Sequence, residues 1–429
     1  MRNHKMMAFV LALCVGLGGV VSVLAEAAEP VTLRFLWWGS DARHEATLQV
    51  INDYMALHPN VKIEAMYGTD DGYYEKLTTM LASGTEPDII QMIAEWFVPL
   101  AGNGSIFADL DKRIIDTSGF EQNYLGSVCT VNGELQALPT GMGGQILAVN
   151  TDFMARFGIP ADTVWTWNAI EEWGRKVHEQ DPEAYLLGGF GGDDSTPVGI
   201  MLKFFALQRN GSGPWVSDDY QLGFTVEDLT AAYEYFVRLL DEGVMQPVDE
   251  TVTAMTALEN TRWVEGNVGL MHAMTTTIYA FEVEGMNVDV AACPVAEDAK
   301  DSGFSVTPTQ MLAVSRRCEH PEVAMDFLNY FYNAPEAIAV LQAVRGSQPT
   351  TNGTQVLVEA GLVDQRNAKA MDLCYATSSR YTSLVSAMTE FSVAYADITN
   401  SVLFKETTPA QGAQQLVDEY MAIIADLRK

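Results

Sequence analysis

The chain is poor in basic residues, in cysteine and in clustered histidine, and each shortage narrows its chemistry. Against 56 Asp and Glu it carries only 25 Lys and Arg, a formal net charge of −31. So acidic a chain repels nucleic acid and anionic lipid surfaces. An anionic small molecule stays permitted, because the charge of a pocket is local. The five cysteines show no CxxC spacing and no His at metal-ligand spacing. Apart from His4, the histidines stand at 44, 58, 178, 272 and 320, no two at helix-face spacing, so no metal site is expected. The motifs GxSxG, HExxH and GxxxxGKS/T are absent. The loop Gly188–Gly192 lacks the following Lys-Ser/Thr of a nucleotide cradle, and no cofactor is expected. These gaps favour a protein without catalysis. Only a paired-carboxylate hydrolase stays open, since many acids supply chance pairs. Internal repeats and low-complexity linkers are also missing.

What is present begins with an address. Arg2, His4 and Lys5 precede an apolar stretch from Met6 to Ala25, and Ala25-Glu26-Ala27 follows. A basic start, an apolar centre and a small-residue exit describe a secretory signal peptide over residues 1–27. Cys14 follows bulky Leu13 inside a stretch that runs on past it, which argues against lipidation. Removing Arg2, Lys5 and Glu26 with that segment leaves 23 of 25 basic and 55 of 56 acidic residues. The remaining ~400 residues exceed one ordinary core and suggest two lobes, and no later apolar run reaches the ~18 residues of a membrane span. Export to an oxidising compartment permits two disulfides among Cys129, Cys293, Cys318 and Cys374, or free buried thiols.

Along the mature chain the periodicity alternates. Val31, Leu33, Phe35 and Trp37 mark a strand, then Leu48, Ile51 and Met55 share a helical face that His58-Pro59-Asn60 ends. Val61, Ile63 and Ala65 predict a second strand. Tyr74, Leu77, Met80 and Leu81 predict a second helix closed by Ser83-Gly84, and Ile89–Ile93 a third strand. Strand–helix–strand order predicts an α/β fold with mainly parallel sheets flanked by helices. Further helices are predicted from Thr166-Trp167-Asn168, over 201–208, over 226–242, and in the amphipathic C-terminal segment.

The turns after parallel strands line ligand crevices. The first such turn holds Trp37, Trp38, Asp41 and Arg43, and the third holds Glu95 and Trp96. Flat indole faces stack on the apolar faces of sugar rings, while carboxylates, amides and Arg bond the hydroxyls. Neighbouring strand residues face opposite sides, so one of Trp37 and Trp38 is expected in the core and the other at the crevice. Arg43 either pairs with Asp41 or Glu45, or grips a ligand hydroxyl or carboxylate. Trp215, in the turn Gly213-Pro214-Trp215, is within reach of a pocket, whereas Trp173 lies on a helical core face.

The order of short motifs resembles a family. Leu33–Trp38 (LRFLWW) is followed by Tyr54–Pro59, Val61–Glu64, Tyr74–Leu77 and Leu81–Asp88. Leu138-Pro139, Val149–Asp152, Thr166-Trp167, Trp263–Met271, Ala324–Phe331 and Gly346–Pro349 come after. Together they resemble the extracellular solute-binding proteins of carbohydrate ABC importers, the maltose-binding-protein-like group. The family's stacking Trp after the Met271 segment is replaced by Thr275–Tyr279, with Tyr279 as its substitute.

That resemblance implies a type II-like fold of two lobes on a hinge. Residues 30–139 and 286–329 would form the first lobe, and 140–285 and 330–429 the second. It implies a periplasmic monomer that closes on a sugar and presents the closed form to membrane permease subunits. The pocket would draw on Trp37, Trp38, Asp41, Arg43, Trp96, Asp193, Trp215, Tyr279 and Arg345. The stretch Trp37–Arg43 looks closest to members that take plant-cell-wall or pectin-type oligosaccharides, with Arg43, Arg345 and Arg380 available to a uronate. A non-sugar solute on the same fold, a secreted carbohydrate-active enzyme, and delivery of a ligand signal to a membrane receptor stand as alternatives.

Overall fold

Alternation and capping produce the elements where the periodicity places them. The computed structural model describes residues 29–428, apart from 70, 103–105, 190–196, 212, 300, 364, 378–382 and 384; the leader and Asp193 lie outside the described residues. Strands β1 (Val31–Trp38), β2 (Val61–Gly68), β3 (Ile89–Met92) and β4 (Leu138–Gly143) come first. They are followed by β5 (Gln145–Asn150), β6 (Tyr185–Gly188), β7 (Val268–Met274), β8 (Val288–Ala292) and β9 (Thr307–Val314). Ser40 caps the helix Asp41–Leu57, which buries Thr47, Val50, Ile51 and Tyr54. Gly84, at φ 69°, ends the helix Tyr73–Ser83 in the left-handed conformation that a side chain would resist. Thr166 caps Trp167–Gln180, and a Thr408–Gln411 capping box starts Pro409–Leu427.

Besides a two-stranded ribbon, Thr130–Val131 with Glu134–Leu135, two large sheets result among the described residues, in the orders β2-β1-β3-β9-β4 and β8-β5-β7-β6. In the first, β1 runs parallel to β2 and β3, while β9 is antiparallel to both β3 and β4. Four strands therefore share a direction and β9 alone opposes them. In the second, β6 and β7 are parallel and β5 is antiparallel to both β7 and β8, so β5 alone opposes. Each reversed strand is the one that enters its sheet directly from the other lobe.

The lobes exchange chain at three places. Gly144 alone separates β4 from β5. Residues 293–306 lead from β8 back to β9. The chain returns again after the helix Pro335–Leu341, whose Ala337 and Leu341 pack in the first core. The helix Gln365–Thr377 then packs Ala370, Met371 and Cys374 on the second sheet. These crossings correct the expected boundaries. Val288–Ala292 pairs with β5 and so belongs to the second lobe, not the first. Phe331, Tyr332, Ala337 and Leu341 belong to the first, not the second.

The second sheet is covered on both sides. Leu147 and Val149 face one core, Ile146 and Ala148 the other, as the two-residue period of a strand requires. Cys129, Cys293, Cys318 and Cys374 are buried free thiols, and burial holds the Cys318 and Cys374 thiols up near pKa 12.

Candidate ligand site at the lobe junction

Strand direction places the carboxyl ends of both sheets at one junction. Trp38 ends β1 and Met92 ends β3, while β9 carries Thr307 opposite Gly143 on that same edge of the first sheet. In the second sheet, β7 ends at Met274 opposite Gln145, one residue beyond Gly144. Gly144 donates its amide to Thr275 Oγ1 at 3.1 Å and accepts the Thr275 amide at 3.0 Å. The segment after β7 is thereby fastened to the crossing.

Against the first-lobe edge stands an aromatic wall. The indoles of Trp38 and Trp96 lie 5.2 Å apart, Tyr73 packs on Trp38 at 4.6 Å, and Tyr74 stacks on Trp96 at 4.9 Å. Trp96 and Tyr74 are half-buried and keep open area. Trp38 is 9% exposed. Trp37 points to the opposite face of β1, is fully buried, stacks on Tyr67 and donates its indole N–H to His44 Nδ1 at 3.1 Å. The tryptophan pair is thus split across the sheet, as the strand period demands.

Behind the wall lies a polar network that contains no acid among the described residues. The Trp38 carbonyl accepts from Arg43 Nη1 at 3.2 Å and from Gln91 Nε2 at 3.1 Å. Arg43 Nε donates to the Val344 carbonyl at 3.0 Å. Arg345 donates Nη1 to Gln91 Oε1 and Nη2 to Thr47 Oγ1, the latter at 2.7 Å. Arg345 is 2% exposed, its guanidinium lies over the Phe331 ring at 5.5 Å, and its Nε has no partner among the described residues. Burial first, and then the neighbouring Arg43 charge, press its pKa down to about 9. Burial also lowers Arg43. The tight turn that folds Arg43 back is possible because Gly39 has no side chain: a Cβ there would stand 2.4 Å from Arg43 Cδ.

The other expected site residues are scattered. Asp41 is exposed in the first helical turn. Tyr279, 67% exposed, sits on the short helical turn Ile278–Phe281 just beyond the Thr275 segment. Asp193 and Arg380 fall outside the described residues. Trp215 is corrected to a core residue of the second lobe. It is 5% exposed, stacks on Phe224 at 3.9 Å and donates its indole N–H to Tyr420 Oη at 3.0 Å. Trp215→Phe is therefore expected to lower stability by about 1–3 kcal/mol in urea unfolding while leaving ligand affinity unchanged. Missed by sequence reasoning were Tyr73, Tyr74, Gln91 and Thr275. A Tyr-Tyr pair opening the helix after β2 was the available signal for the first two.

A buried histidine also lies near this junction. His272, on β7, is buried against Phe204 and shares a hydrogen bond with Gln145 Oε1. Burial pushes it down from 6.5 to about 3. Above pH 6.5 folded and unfolded chains both hold it neutral. Between about 6.5 and 3 only the unfolded chain takes up the proton, so stability falls as pH falls, by on the order of 2 kcal/mol at pH 5. His272→Gln is expected to remove that part of the slope. Unfolding midpoints at pH 7 and pH 5 check it, and an unchanged slope in the variant contradicts it.

Comparison with known proteins places the geometry in context. The family described as "Bacterial extracellular solute-binding protein" matches residues 40–338. An uncharacterized lipoprotein from the oleD 5' region of Streptomyces antibioticus is 23% identical over 376 residues, 83% of this chain and 78% of the relative. An extracellular solute-binding protein family 1 structure from Alicyclobacillus acidocaldarius superposes with a TM-score of 0.82 at 21% identity, covering 92% of this chain and 98% of that one. A periplasmic oligogalacturonide binding protein from Yersinia enterocolitica superposes at 0.75 and 21% identity, covering 91% and 100%.

Proposed function

The chain belongs to the bacterial extracellular solute-binding proteins, and from that premise we propose that it is the exported capture component of an ABC importer whose solute is a sugar or oligosaccharide. The observation that carries the sugar reading is the aromatic wall Trp38–Trp96–Tyr74 at the carboxyl edge of the first sheet. Ring faces beside a network of amide, carbonyl and guanidinium groups are what a saccharide needs, apolar on its faces and polar around its rim. The segment from Thr275 to Tyr279 stands as the second wall, brought onto the first when the lobes close. The chemistry is reversible binding, with lobe closure coupling occupancy to docking on the permease. The oligogalacturonide-binding relative adds support for a plant-cell-wall class of ligand. Among the described residues no helix is long and apolar enough to cross a membrane. The basic–apolar–small leader supports release into the periplasm.

Thermal-shift screening of the mature chain against neutral sugars, uronates and polyamines, followed by calorimetric titration of the hits, tests this. Saturable binding of a saccharide without new reducing ends is the expected result. Stabilisation by polyamines alone, or turnover of the saccharide, would overturn it.

A further inference from the structure

Arg43 and Arg345 lie at the lobe junction with no carboxylate partner among the described residues, in a chain that carries 56 acids. Arg345 is buried behind the wall and answered only by neutral acceptors, Gln91 and Thr47, with Nε left unmatched. Arg43 spends Nε on the Val344 carbonyl and Nη1 on the Trp38 carbonyl, which leaves Nη2 without a partner among the described residues. The nearest acids in sequence, Asp41 and Glu45, are exposed, and neither forms an ion pair with either arginine among the described residues. Elsewhere arginines of this protein are matched: Arg175 by Glu171 and Glu242, and Arg262 by Glu183 and Glu250. Two desolvated like charges beside each other are costly unless an anion completes them. Gln91 links them: its amide donates to the Trp38 carbonyl that also accepts from Arg43, its side-chain oxygen accepts from Arg345, and Trp38 belongs to the indole wall.

Resting on the saccharide reading above, we propose that Arg43, backed by the field of buried Arg345, is a subsite for a sugar-ring carboxylate, and that the ligand is an acidic saccharide of the uronate class rather than a neutral one. Arg43 makes the contact through Nη2, since Arg345 is too enclosed to touch a ligand. Arg345 supplies charge from behind, and low local dielectric keeps that charge effective. The overall negative charge of the protein acts at longer range, where salt screens it, and does not cancel a cation at contact distance. A planar carboxylate also suits the guanidinium fork better than a hydroxyl does.

The test titrates uronate disaccharides, digalacturonate first, against their methyl esters and against neutral disaccharides, on the intact mature chain and on Arg43→Gln. Esterification removes the charge and keeps the ring. The acid is expected to bind at least about tenfold tighter than its ester. Arg43→Gln should weaken the acid far more than the ester and so remove most of that difference. Raising salt should shrink the acid's advantage in the same direction. Arg345→Gln, provided it unfolds cooperatively, should reduce the advantage part-way. Equal binding of acid and ester, tighter binding of a neutral sugar, or equal weakening of acid and ester by Arg43→Gln overturns this inference and leaves the sugar reading standing. Absence of binding by every saccharide overturns both.

Discussion

Gly141→Ala is expected to destabilise the protein by about 3 kcal/mol or more and to weaken ligand binding at the same time. A Cβ at this position would stand 2.0 Å from the Arg345 carbonyl oxygen, a backbone atom that cannot turn aside. The approach is close because the turn Val344–Ser347 lies against β4: Met142 bridges to Ser347, and Thr309 Oγ1 donates to the carbonyls of Gly141 and Arg345. Gly346, at φ +105°, allows the same turn to lie on Thr309 from its other side. Separating β4 from this turn moves Val344, whose carbonyl holds Arg43, and Arg345 with it. The site would thus lose its cationic backing along with packing. Urea unfolding and titration on one preparation check the pairing of effects. A variant of unchanged stability with normal affinity would show that the turn does not hold the two arginines. Gly143→Ala is the control, since its Cβ would meet only side-chain methyls at 3.4 Å and beyond.

Elements set by near neighbours are legible in the sequence, and contacts made by distant partners are not. The strand from Val31, the helix stop at His58-Pro59 and the left-handed Gly84 are set by neighbours within a few residues. Direction and alternation then suffice for an α/β fold, and for the split of Trp37 from Trp38. The crossings carry no such local mark. Val288–Ala292 is a short apolar strand, and only its pairing with β5, well over a hundred residues earlier, assigns it to the second sheet. Trp215 sits in a turn, which suggests exposure, but its burial is made by Tyr420, 205 residues away. Arg345 is the sharpest case. Charged side chains are read as surface by default. The groups that enclose this one, Gln91 and Thr47, are 254 and 298 residues distant.

The largest expected effect on binding is at Trp96. Trp96→Ala should weaken saccharide affinity by tens-fold, from about 1–3 kcal/mol of lost stacking and burial, at small cost to the fold. The two indoles of the wall differ in burial. Trp38 is almost enclosed between Tyr73 and Trp96, so its removal opens a cavity in the first lobe as well as spoiling the wall. Loss of affinity in Trp38→Ala would therefore come with several kcal/mol of instability, as for other large-to-small changes at buried aromatics. Trp96, half-buried in the first turn of Ala94–Gly102, stacks on Tyr74 and keeps part of its area open to solvent. Its replacement should change the titration and barely move the melting temperature. Trp96→Phe, which keeps a ring face, should recover much of the loss. A melting temperature lowered as much by Trp96→Ala as by Trp38→Ala, with affinity intact, would make Trp96 a packing residue and remove the wall on which the sugar reading rests.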